Sequence, residues 1–146
     1  MLDKLTIFLI GLVPLIFYSY IDLKNSRVSN WYIFPYLCMG VGILFGNGQF
    51  IIQFSLIFFW IFLGFIMWYM ETIGGADYKI LIINSIFLTL IFPNAIAGHF
   101  MFIMLLGING IFYGIIAKII QRKQQIPFIP VITLTYILSF VFWTIK

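Results

Sequence analysis

Two of the four acidic residues in this 146-residue chain, Glu71 and Asp77, lie in the stretch METIGGADYKIL at residues 70–81, between long apolar runs. A third, Asp22, stands in YSYIDLK, directly after another apolar run. Two carboxyl groups held together in a partly dry site do not easily both ionise. One keeps its proton, the other stays charged, and the pair titrates as a unit. Such a pair can activate water as a general base while giving a proton to a carbonyl oxygen, which is the chemistry of peptide hydrolysis. Glycines beside one aspartate, here Gly74 and Gly75, let backbone approach a substrate strand closely because they lack Cβ atoms. Asp22 and Asp77 are 55 positions apart, so the elements that carry them decide whether they meet.

Those elements are apolar. The chain is 64% hydrophobic and 8% charged, with a mean hydropathy of +1.15. A soluble domain carries about a quarter charged residues, so this composition predicts an all-α integral membrane protein. The apolar runs are Leu5–Ile21, Trp31–Phe45, Phe50–Met70, Ile80–Phe92, Phe100–Ala117 and Pro127–Ile145. A crossing helix needs roughly 20 residues, with about 17 as a lower limit. Four runs reach that length. The second and fourth must borrow flanking residues such as Asn30, Gly46–Gln49 or Pro93–Gly98. The expected architecture is a polytopic bundle of six transmembrane helices forming one domain over residues 1–146. The runs do not alternate, which argues against a barrel. The first run ends in YSYIDLK without a small-residue cleavage site and reads as a retained helix, not a signal peptide.

Charge orients the bundle. The first, third and fifth connections share one side and hold six basic residues: Lys24, Arg27, Lys79, Lys118, Arg122 and Lys123. The other side has only Lys4 and Lys146. The positive-inside rule places the six-residue side in the cytoplasm and both termini outside. Asp22, Glu71 and Asp77 fall on that cytoplasmic side, so the topology brings Asp22 and Asp77 to one membrane depth. Plainer readings exist for each: Asp77 as the N-cap of the fourth helix, and Asp22 as an interfacial residue paired with Lys24 or Arg27.

Around both aspartates the sequence resembles a family. GGADYK looks like the GxGD signature of intramembrane-type aspartic peptidases. YIDLKNSRVSNW is similar to the first aspartate motif of the type IV prepilin peptidases, with Asp22 followed by Lys24, Arg27, Val28 and Asn30 in the family's order. Glu71, Lys79 and the proline-containing IPFIPVIT also match its pattern. Ala76 stands where the second glycine of GxGD is expected, a form closer to the archaeal preflagellin and prepilin enzymes, with the minimal peptidases of tight-adherence pili as near rivals. Only about nine residues separate the first two runs, and Cys38 is the single cysteine, so the paired CxxC motifs linked to N-methylation are absent. No methyltransferase activity is expected.

The resemblance implies a membrane aspartic endopeptidase that removes the short basic leader of type IV prepilin-like or preflagellin (archaellin) precursors at the cytoplasmic membrane face. It implies Asp22 and Asp77 as catalytic residues and Gly74 and Gly75 as the close approach for substrate. Glu71 is a candidate contact for the basic leader, set against a plainer reading as a solvated interfacial charge. Lys24, Arg27 and Lys79 read as topology determinants. No metal or other cofactor is needed, His99 reads as an isolated interfacial residue, and the expected partners are the precursor proteins and the lipid bilayer, with no nucleic acid. A rival class is a small multispan transporter or channel subunit that uses the carboxylates for protons or cations, although carriers tend to place ionisable groups near mid-membrane. An inert scaffold of a pilus complex is a third. Asn84 and Asn109 are expected to hydrogen-bond between helices, and Gly107, Gly110 and Gly114 to serve close packing inside the bundle.

Overall fold

The computed structural model describes residues 2–25, 28–47, 50–70, 73–92, 94–116 and 127–145. Six α-helices occupy them: α1 (Lys4–Asn25), α2 (Asn30–Asn47), α3 (Phe50–Tyr69), α4 (Gly75–Ile91), α5 (Ala95–Ile116) and α6 (Ile129–Thr144). Their starts follow capping chemistry. Asp3 accepts the N–H of Thr6 at 2.7 Å, Ser29 that of Trp31 at 3.4 Å, and Asn94 that of Ala97 at 3.1 Å. Each short polar side chain satisfies a first-turn donor that has no partner inside its own helix. By length and apolar composition α1 and α5, of 22 residues each, could cross a membrane, and α2, α3 and α6 contribute shorter apolar segments.

The shortest apolar run becomes the centre of the molecule. α4 packs against all five other helices, and ten of its 17 residues are buried. It gains length at its N-terminal end rather than from Pro93–Gly98, starting five residues ahead of the apolar run and stopping at Ile91, where Phe92 turns extended. Asp77 is therefore in the first turn of a helix, not in a loop. α1 and α6 pack on each other through Phe8, whose ring stacks on Tyr136 and Phe140. Tyr36 of α2 stacks on Phe87 of α4 with centroids 5.2 Å apart, and its hydroxyl donates to the Gly11 carbonyl of α1 at 3.1 Å. α3 approaches α4 through Gly64, where a Cβ would stand 2.6 Å from the Tyr78 ring.

Asn84, Gly107 and His99 differ from expectation. Asn109 does bridge helices, donating to Thr135 of α6 at 3.0 Å, but both amide atoms of Asn84 are fully buried without a partner among the described residues. Asn84 is completely buried in the central helix, whereas the half-buried Asn109 reaches Thr135 of α6. Gly107 is exposed and meets nothing within 4 Å of where its Cβ would be, so it lies on the outside of α5, whereas the half-buried Gly110 reaches the edge of the Phe128 ring. His99 is buried rather than interfacial. Its Nδ1 pairs with the Ala95 carbonyl at 2.7 Å, and its ring lies beside Trp60. Large apolar side chains cover the outside of the bundle, among them Val13, Trp31, Phe62 and Met104.

Candidate active site

Asp22 lies in the last turns of α1 and is buried, 7% exposed. Its Oδ2 accepts the backbone N–H of Ile129 at 3.2 Å. Ile129 is the first residue of α6, whose N-cap is Phe128 and which carries proline in its first turn. Phenylalanine offers no acceptor to the unpaired donors of that turn, so a carboxylate from α1 caps α6 in its place, at the positive end of the helix dipole. Next to it, Ser19 and Thr133 share a hydrogen bond of 2.7 Å that ties α1 to α6 one turn deeper. Of the plainer reading of Asp22 as an interfacial residue paired with Lys24 or Arg27, the Lys24 half finds no support, because Asp22 is buried against Ile129 while Lys24 is exposed, and Arg27 lies outside the described residues.

Asp77 stands at the third position of α4. The N-cap is Gly74, not Asp77, and its backbone is extended at φ −74° and ψ 160°. The Asp77 Oδ2 reaches back to accept the Gly74 N–H at 2.9 Å, which is the acidic half of a capping box. A Cβ on Gly74 would sit 3.0 Å from that same oxygen, so the glycine keeps room for the carboxylate. Gly75 is less constrained: a Cβ there meets only Trp68 Nε1 at 3.8 Å. Neither glycine needs a left-handed backbone in this structure.

α1 and α4 are in direct contact, and the Asp22 charge is within electrostatic reach of Asp77. Asp77 precedes the apolar run that begins at Ile80. Burial lifts its pKa to about 7, the Gly74 N–H opposes the rise, and the Asp22 charge adds to it. A carboxyl group poised near neutrality beside a second carboxylate can hold and release a proton at physiological pH.

Both motifs are anchored by an apolar residue. Val28, on the link after α1, and Ile73, just ahead of α4, are each buried in the core cluster. Lys79 and Asn30, one from each motif, meet directly, with Nζ donating to Oδ1 at 2.7 Å. Nothing in the spacing of the two motifs signalled that pair or the Ile129 donor, although IPFIPVIT marks the right segment. Tyr113 of α5 is likewise within reach of the Asp22 charge. Glu71 and Arg27 lie outside the described residues, as do Lys118, Arg122 and Lys123.

No curated protein and no solved structure matches the chain significantly. The model of the type IV leader peptidase family, by contrast, matches residues 9–145, from within α1 to the end of α6, and takes in every residue placed at this site. A match that spans nearly the whole chain, over a fold that brings two aspartates to one end of a helical bundle, identifies the chain as a member of the type IV leader peptidase family, whose members are aspartic-type peptidases acting on type IV prepilin-like precursors.

Proposed function

We propose that residues 1–146 form a single six-span domain in the cytoplasmic membrane, with both termini outside and the Asp22–Asp77 end at the cytoplasmic face. There it cleaves the short basic leader from a prepilin-like or preflagellin precursor. The apolar exterior and the segregation of basic residues support this placement. The substrate's apolar helix remains in the bilayer, and the leader junction emerges at the depth of the two aspartates.

The observation that carries the reading is that Asp22 and Asp77, from separate helices, lie within electrostatic reach of each other at helix N-termini. In the proposed mechanism Asp22, whose pKa burial raises against the opposing Ile129 N–H, is the ionised partner, and Asp77 carries the proton. Asp22 takes a proton from water as the water oxygen attacks the scissile carbonyl carbon, and Asp77 protonates the carbonyl oxygen. Collapse of the tetrahedral intermediate breaks the C–N bond. The leaving amine takes the proton from Asp22, and Asp77 recovers its own. Gly74 and Gly75 leave the substrate backbone a path to this end of α4, and Glu71 is a candidate contact for the leader's basic residues. With Cys38 alone, no paired CxxC motif is available and cleavage without N-methylation is expected.

Co-expression with a tagged precursor of this type tests the reading. Leader removal is expected with the unaltered chain and not with Asp22→Ala or Asp77→Ala, both variants still inserting in the membrane. Cleavage by either variant overturns the assignment.

A further inference from the structure

The hydrogen bond between Lys79 and Asn30 joins the two aspartate motifs on the side of α4 away from the carboxylates. Lys79 follows Asp77 by two positions, so the two side chains leave α4 in nearly opposite directions. On the Asp77 side, α4 faces Asp22 and α1. On the other side the Lys79 Nζ reaches Asn30 Oδ1, the first residue of α2, at 2.7 Å. Asn30 follows Asp22 by eight positions, and the intervening link carries the buried Val28. Chain and hydrogen bond together run from Asp22 through the link to Asn30, across to Lys79 and along α4 to Asp77.

An asparagine at the start of a helix would ordinarily serve as its cap, but here Ser29 does that by accepting the Trp31 N–H. The Asn30 amide is thereby released to take the ammonium. Gly74 and Gly75, at the head of α4, are exposed and bring no side chain to hold it. A charge-assisted bond to α2 supplies that hold.

We propose that Lys79 and Asn30 are positioning residues that set the separation of Asp22 and Asp77 by clamping the first turn of α4 to the start of α2. This inference rests on the dyad reading given above. Both residues are exposed, and exposed pairs contribute little to stability, so the clamp acts on turnover more than on folding.

The test is steady-state cleavage of a purified precursor with a basic leader by the detergent-solubilised enzyme. Lys79→Ala and Asn30→Ala are each expected to lower kcat about tenfold to a hundredfold, the range a small misplacement of reacting groups produces. KM should stay within about twofold, because the clamp touches no substrate. Asn30→Asp, which still offers Lys79 an acceptor, recovers most of the turnover. In a Cys38→Ser background, the Asn30→Cys/Lys79→Cys pair is assayed before and after linking with a bifunctional thiol reagent about as long as a lysine side chain. Linking is expected to restore kcat, and because both assays use one preparation the comparison holds even if the single variants are unstable. Unchanged kcat in the alanine variants, or no recovery on linking, overturns the clamp. Loss of cleavage in Asp22→Ala and Asp77→Ala alongside either result leaves the dyad standing, whereas cleavage by those variants removes both.

Discussion

Asp22 accepts the backbone N–H of Ile129, 107 positions further along the chain. That bond makes one carboxylate both the missing cap of α6 and half of the candidate dyad. Structural and chemical roles at Asp22 should therefore separate by substitution. Asn at position 22 can still accept the Ile129 N–H but cannot act as a base. Asp22→Asn should abolish cleavage with a melting temperature near that of the unaltered protein. Asp22→Ala should abolish cleavage and also lose about 1 kcal/mol of stability, the usual scale for a lost helix cap. Thermal melts in detergent beside the cleavage assay check both outcomes.

The pH dependence follows from Asp77. Catalysis needs its proton, so cleavage should fall as pH rises through about 7. The sign for stability is the same. The folded-state pKa lies above the unfolded value, so the stability that the proton confers is complete below the unfolded carboxylate range near 4 and is lost as pH rises to about 7. Asp77→Asn removes this dependence. Its melting temperature should exceed that of the unaltered protein at pH 8, with the gap closing towards pH 4. A constant gap across that range would place the raised pKa elsewhere.

Gly74 and Gly75 should respond differently to alanine. At Gly74 the added Cβ stands 3.0 Å from the Asp77 Oδ2 and must displace the carboxylate, so cleavage should fall by about tenfold or more. At Gly75 the nearest atom is 3.8 Å away, an ordinary contact. If Gly75→Ala proves as damaging, it points to substrate backbone passing over that position.

Gly64 lets α3 close on α4 beside the site. Alanine there would bring Cβ to 2.6 Å from the Tyr78 ring, one residue from Asp77. Overpacking of this kind costs about 1–3 kcal/mol, and the melting temperature should drop accordingly.

The buried Asn84 and the half-buried Asn109 predict opposite effects on stability. Replacing Asn84 by Leu removes an amide with no partner among the described residues and should raise the melting temperature. Asn109→Leu breaks the bond to Thr135 and should lower it. Equal losses from both would mean that Asn84 is satisfied by water or by a rearranged helix.

Composition and apolar runs were enough to anticipate six helices, because burying or embedding so many apolar side chains leaves no other role for those stretches. The two aspartate motifs could be read from residue types alone, since a carboxylate in so apolar a chain has few uses. The tertiary structure decided which helix is central. α4 has the shortest apolar run, yet ten of its 17 residues are buried because all five other helices pack against it. It also decided the partners: Ile129 for Asp22, Gly74 for Asp77 and Asn30 for Lys79. Asp77 and Gly74 are local, and a capping pattern would have suggested them. The other two pairs span 107 and 49 positions. Local sequence holds no record of such distances, because they are set by how α1, α2, α4 and α6 converge at one end of the bundle.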